Sequence, residues 1–301
     1  MREEPSRRFT ETPLDYLFIS LQYLLPHHLI SALTYRITRI EIKPFKDWLI
    51  RNIIKLYRVE MEEALEPDPS RYRSFNHFFT RVLRPDVRPV AEAPEAIVCP
   101  ADGALSQCGD IEEGYIFQAK GRDYSLLELL GGDPQWSERF EEGNFATIYL
   151  SPRDYHRVHM PFSGTLQRMI HVPGRLFSVN ATTARMVPRL FARNERVVCL
   201  FETEIGPMAM ILVGAINVAS IDTVWAGTVT PRSRQVSHWN YTPESETPEP
   251  ISLQKGEEMG RFNMGSTVIL LFGKDATEWM EELESGMPLK MGQQIATVTP
   301  V

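Results

Sequence analysis

The chain has 301 residues, about twice the usual size of one domain, and 43% are hydrophobic, which supplies a real core and excludes wholesale disorder. Three cysteines, Cys99, Cys108 and Cys199, exclude a disulfide scaffold and leave no CxxC pair, so a reducing compartment is the simplest reading. The net charge of −7 argues against a general nucleic-acid binder, but residues 1–60 are net basic and the rest net acidic, which suggests two jobs.

No Asp, Glu, Lys or Arg occurs from Tyr16 to Tyr35. The length raises the question of a membrane span, yet Pro26, His27 and His28 interrupt it, and no cleavage site of a signal peptide follows. Two short helices broken at Pro26 fit better. Leu14, Leu17, Phe18, Leu21, Leu24 and Leu25 recur at spacings of three and four and make one apolar face. A third helix is predicted from about Pro44, with Phe45, Trp48, Leu49, Ile53 and Leu56 among Lys46, Arg51, Lys55 and Arg58. Such a helix suits an anionic membrane surface, and it equally suits packing on its own domain.

Glu66-Pro67-Asp68-Pro69-Ser70 breaks the chain, and Phe75, Phe78, Phe79 and Val82 then repeat at helical spacing. A Pro-rich connector from Arg84 to Pro94 places a domain boundary near residue 85. Beyond residue 95, short runs rich in β-branched residues predict strands at 146–150, 197–201, 209–213, 218–221 and 267–272. Ser125–Leu130 and Ala181–Ala192 read as helices, and Tyr241–Pro250 as an exposed acidic loop. The fold class is therefore α+β: helices at the amino terminus, then a mostly β domain.

Three elements can carry chemistry. His156 and His159 lie in Tyr155-His156-Arg157-Val158-His159-Met160-Pro161. They fit a hydrogen-bonded loop or a catalytic base, whereas a metal site lacks further ligands at a recognisable spacing. Asp102 precedes Gly103, which is first a turn signal and second a group that can orient a histidine. Ser266 follows Gly265 and heads an apolar run, without the glycine pattern of a nucleophile elbow. One Asp, one His and one Ser can form an activated-nucleophile triad.

In this order and context these motifs are specific. Together with Arg73–Phe79, Gln118–Gly121, Leu190–Arg196, Val224–Gly227 and Gly260–Val268, they make the chain resemble bacterial membrane-associated phosphatidylserine decarboxylase proenzymes over essentially its whole length. Many members carry a second Ser where Thr267 stands here.

With the connector as boundary the division is 1–85 and 86–301, and the resemblance implies interfacial, membrane-binding helices in the first part and, in the second, a mostly β catalytic domain with a core like the small β-barrels of carrier domains. It implies self-cleavage at Gly265-Ser266, with Ser266 converted to a covalent pyruvoyl cofactor. Asp102 would orient His159, His159 would take the Ser266 proton, and the Ser266 oxygen would attack the Gly265 carbonyl. The pyruvoyl ketone would then form a Schiff base with phosphatidylserine and accept the electrons released as CO2 leaves, giving phosphatidylethanolamine. His156 is the implied proton donor of that step. The expected partners are the lipid, an anionic membrane surface and the two cleaved chains of the protein itself, with a homodimer as one arrangement and no nucleic acid. The expected location is the cytoplasmic face of the cell membrane, peripherally bound. Two rivals remain at this stage: a serine hydrolase using the same triad, and a non-enzymatic carrier module.

Overall fold

The structure is a computed structural model that describes residues 12–119, 121–216, 220–230, 234–242, 250–264 and 266–300, with Ser266 described by its backbone. Helix α1 spans Pro13–Leu24, α2 His27–Thr38 and α3 Lys43–Tyr57. Thr12 and Asp15 form a reciprocal capping box that starts α1, with Pro13 in the first turn, and Pro26 separates α1 from α2. No helix among the described residues is long and apolar enough to cross a membrane.

The head helices divide their apolar surface between protein and solvent. On α3, Ile50 is buried with Val59, Tyr72, Phe75, Phe78 and Phe79 in a small core of its own, while Trp48 and Leu56 stay exposed. On α1, Leu14, Leu17, Leu21 and Leu24 are exposed, whereas Phe18 is half-buried. Polar contacts hold α1 and α2 on the β domain. Gln22 accepts from the Ser178 backbone N–H (2.9 Å), Arg193 reaches the Tyr23 hydroxyl (3.1 Å), and His28 contacts the Gly174 carbonyl (3.0 Å). The helix expected through Val82 ends earlier: α4 spans only Phe75–Phe79, because Thr80 leaves the helical backbone angles (φ −94°, ψ 28°) and the Arg81 N–H turns to the Phe78 carbonyl three residues back.

Most of the core lies on one antiparallel sheet. In spatial order its strands are Ser237–Asn240, Gly164–Val172, Arg196–Thr203, Gly206–Val213, Ser266–Phe272, Asn144–Leu150, Gly103–Asp110 and Pro288–Leu289, with Ser252–Leu253 also pairing to Gly164–Val172. Strand Ser266–Phe272 lies between Gly206–Val213 and Asn144–Leu150, and Val268 through Phe272 are wholly buried, as their unbroken apolar run requires. A smaller sheet joins Gly227–Thr228, Ile221–Thr223, Glu258–Phe262 and Arg157–His159. Among the described residues the strand pairing follows open paths, and the core is formed by packed sheets. Of the strand expected at 218–221, the described part is Ser220 and Ile221, and only Ile221 is in a strand, Ile221–Thr223; the expected loop at 241–250 lies largely outside the described residues.

The single helix expected at 181–192 is two helices, Ala181–Met186 and Leu190–Arg193, on either side of Pro188. Gln118 ties them together by donating to the Ala184 and Val187 carbonyls and accepting from Leu190 N–H. Arg196 is fully buried and spends its guanidinium on the carbonyls of Glu128, Leu129, Ala192 and Asn194. The Arg193–Arg196 stretch is thus an architectural element, in which backbone acceptors satisfy a buried cation.

Candidate active site

Three chain segments meet at one end of the large sheet. Ser266 opens its strand opposite Leu150, and Thr267 lies in one row with Tyr149 and Ala104. The His159 N–H donates to the Pro100 carbonyl (2.8 Å), which brings the histidine strand to the Asp102 loop. The Phe262 N–H donates to the His156 carbonyl (3.0 Å), so the same strand flanks the segment leading to Ser266. Gly103 is required where it is: a Cβ there would press on the Tyr149 carbonyl oxygen and lie 3.0 Å from Ile148 Cγ2.

The residues before the Gly265-Ser266 bond are anchored on both sides. Asn263 is buried, donates to Ser220 Oγ (2.7 Å) and accepts from Asn76 Nδ2 (2.9 Å). Met264 packs against the α3–α4 core and has φ 120°, a conformation that side-chain-bearing residues rarely adopt. Gly265 lies outside the described residues.

Asp102 is buried in a charge cluster. Arg88 Nε reaches its Oδ1 at 2.8 Å, Arg88 Nη2 its Oδ2 at 2.5 Å, and the Met291 N–H its Oδ1 at 2.9 Å. Arg88 also binds Glu63 at 2.6 and 3.0 Å. Burial works against the Arg88 charge, but the hydrogen bonds to both carboxylates outweigh it and hold its pKa above the ordinary value. The Arg88 hydrogen bond in turn lowers the pKa of Glu63.

Both histidines are buried and neutral. His159 Nδ1 is 2.8 Å from the Gly256 carbonyl oxygen and Nε2 is 3.1 Å from the Tyr155 hydroxyl. Burial lowers its pKa. His156 Nδ1 contacts the Asp154 carbonyl (2.8 Å), and its ring lies 4.0 Å from that of Phe79, centroid to centroid. Its buried Nε2 has no hydrogen-bond partner among the described residues. Burial pushes its pKa down to about 3, with the nearby Arg81 acting in the same direction. A carbonyl only accepts, so Nδ1 carries the proton in both rings and each Nε2 offers a lone pair.

This geometry differs from the expected triad in one respect. Among the described residues no hydrogen bond joins Asp102 to His159: the carboxylate faces Arg88 and Met291, and the imidazole faces Gly256 and Tyr155. The free nitrogen of His156 is an acceptor as the ring stands, so it can donate a proton only after taking one up. Sequence reasoning missed Arg88, which sits in the Pro-rich connector, and Gly256, which acts through its backbone. Tyr155 was in view as part of the histidine stretch but gave no signal of its own.

A cavity of about 160 Å³ opens one residue beyond Ser266, lined by Ala104, Thr147, Tyr149, Asn180, Phe191 and Thr267 among others. The buried Thr267 hydroxyl has no partner among the described residues.

Fold and site together define an α+β enzyme in which a serine heads the central strand and neutral, buried imidazoles flank the segment that leads to it. The family model described as phosphatidylserine decarboxylase matches residues 75–297, and a second, described as PSD, matches residues 17–58. The chain is 59% identical over 280 residues to the phosphatidylserine decarboxylase proenzyme of Pseudomonas putida strain F1, which covers 93% of this chain and 97% of that protein. It is 56% identical over 282 residues to the protein of the same name from Bordetella pertussis strain Tohama I, covering 94% of each. The chain belongs to the phosphatidylserine decarboxylase family.

Proposed function

We infer that this chain is a proenzyme that cuts itself between Gly265 and Ser266 and then removes the carboxyl group of phosphatidylserine as CO2, leaving phosphatidylethanolamine. The observation that carries the reading is the strained, anchored Met264 immediately before a Gly-Ser bond that heads the central strand. The chemistry of the residues fits a pyruvoyl group at 266: the position holds a serine, whose β-oxygen is both attacking group and leaving group, and two lone-pair imidazoles lie on the stretch that runs alongside Glu258–Phe262, the strand leading to it. When formed, that group supplies a ketone that condenses with the substrate amine and takes up the electrons released with CO2.

In this reading His159 takes the Ser266 proton on Nε2. His156 accepts a proton on its free Nε2 from the substrate's amine and returns it to the carbon that CO2 has left. Asp102 and Arg88 fix the loops around them, and the bond from Met291 N–H to Asp102 links segment 266–301 to the rest after the cut. We assign the helical region 1–85 to docking and 86–301 to catalysis. The exposed leucines of α1 suit one leaflet of an anionic membrane, on the cytoplasmic side, and a homodimer is compatible with this arrangement.

Denaturing electrophoresis of wild type and Ser266→Ala, with a decarboxylation assay on phosphatidylserine vesicles, tests the reading. Wild type should run as two chains and release CO2, and Ser266→Ala should remain one inactive chain. An uncut wild type labelled at Ser266 by a fluorophosphonate would favour a serine hydrolase instead.

A further inference from the structure

Three consecutive residues at the exit of α4 grip the histidine stretch. The Phe79 ring lies 4.0 Å from that of His156, centroid to centroid. The Thr80 carbonyl accepts from Arg157 Nε (3.0 Å), and Arg81 Nη2 donates to the Arg153 carbonyl (3.0 Å). Between those two grips His156 Nδ1 meets the Asp154 carbonyl at 2.8 Å. The clamp thus fixes the backbone that sets the tautomer of the ring, and Nε2 is left with a lone pair and no partner among the described residues.

Arg81 differs from the other buried arginines. Arg88 meets carboxylates and Arg196 meets carbonyls. Arg81 is 4% exposed, yet its Nε and Nη1 have no acceptor and no carboxylate forms an ion pair with it among the described residues. Its guanidinium carbon lies 5.6 Å from the centre of the Phe78 ring. Burial works against the charge, but a guanidinium stays protonated across the range in which proteins fold. A buried charge without a counterion costs stability that a neutral side chain of the same length would not.

We propose that Arg81 is a positioning residue for His156: its grip on the Arg153 carbonyl and its uncompensated charge together hold the ring with Nδ1 protonated and Nε2 free to accept. This rests on the reading of His156 as the group that carries the proton during decarboxylation. The groups around the ring act in opposite directions. Burial is the largest cause of its neutrality and Arg81 adds to it, whereas the Asp154 carbonyl and the Asp102 charge oppose it. The Asp154 carboxylate is taken up by the Ser151 N–H and hydroxyl (2.7 Å each), and Arg157 by the Thr80 carbonyl and Glu258.

The test is nitrogen NMR of the His156 ring in the full-length Ser266→Ala precursor. The ring should be neutral, with its proton on Nδ1. Adding Arg81→Met should raise the imidazolium fraction at pH 5 roughly tenfold, the effect of one neighbouring charge removed while burial stays. Arg81→Lys keeps the charge and should stay within about twofold of the parent. If Arg81→Met does not fold, Arg81→Gln takes its place, removing the charge and keeping an amide donor, with the same rise expected. In the cut enzyme Arg81→Met should lower kcat on phosphatidylserine vesicles roughly tenfold and leave KM within about twofold, because the residue acts on the proton-carrying ring and not on the lipid. An unchanged imidazolium fraction, an equal rise in the Met and Lys variants, a parent ring protonated on Nε2, or a raised KM with unchanged kcat would each overturn the proposal. His156→Gln separates the two readings. If it decarboxylates at the wild-type rate, His156 does not carry the proton; if it is inactive while Arg81→Met keeps the parent's ring state and the wild-type kcat, only the role of Arg81 fails.

Discussion

Replacing Arg88 by Met keeps the length of the side chain and removes the charge that faces Asp102. The buried carboxylate then retains the Met291 N–H at 2.9 Å and Lys290 Nζ at 3.6 Å, and loses its shortest contact, the 2.5 Å bond to Nη2. Breaking a buried ion pair by removing one partner costs about 3–5 kcal/mol, because the other charge is stranded. For a protein of this size that lowers the melting temperature by roughly 6–10 °C, at about 2 °C per kcal/mol. Thermal unfolding should be measured on the Ser266→Ala precursor, so that cleavage does not change the species. The double variant Arg88→Met/Asp102→Asn should lose less than the sum of the two single changes, since it strands no charge at this position. The pKa of Glu63 is lowered by the same Arg88, so this contribution is present above the ordinary carboxylate range and is lost as pH falls through it. A loss below about 1 kcal/mol for Arg88→Met, or strict additivity in the double variant, would refute the argument that the pair is a buried, coupled unit.

Other consequences follow from the same geometry. His156 titrates near 6.5 when unfolded and at about 3 when folded, so its neutral burial stabilises the fold fully above pH 6.5 and progressively less below it. At pH 5 this single ring should account for roughly 2 kcal/mol of lost stability, read as a shallower pH dependence of melting in His156→Gln. Gly103→Ala should destabilise the precursor by roughly 1–3 kcal/mol in denaturant titration, because the Tyr149 carbonyl cannot yield without disturbing its strand. Leu17→Asp/Leu21→Asp on the exposed face of α1 should weaken binding to anionic vesicles roughly 100-fold in a sedimentation assay, on the loss of about 1.5 kcal/mol per leucine, while melting stays unchanged. Unaltered binding would remove α1 from the membrane surface.

The strands around 146–150, 197–201, 209–213 and 267–272 were legible because unbroken β-branched and apolar runs have few alternatives in a buried sheet. The break at Pro26 was legible for a steric reason, and the split at Pro188 had the same signal but was overridden by the apolar spacing around it. Spacing also overran the end of α4, where the backbone at Thr80 leaves the helical angles. At the site, residue types announced Asp102, His156, His159 and Ser266 as candidates, but not their partners. Arg88 reads as one more charge in a connector until the fold buries it against Glu63 and Asp102. The Gly256 carbonyl carries no side-chain signal at all, since every residue has a carbonyl and only its direction matters. On α3 the sequence allowed either a lipid-facing or a core-facing stripe, and the helix uses both, with Ile50 inside and Trp48 outside.

Intact mass of freshly purified full-length protein tests the central claim most directly. The account predicts two species divided between residues 265 and 266, with the smaller lighter than a serine-ended peptide of residues 266–301 by the change from serine to a pyruvoyl group, which is one ammonia. Under native conditions the two should travel together, because strand Ser266–Phe272 is paired on both sides to Asn144–Leu150 and Gly206–Val213. A single uncut mass from protein that nevertheless decarboxylates phosphatidylserine would contradict the account.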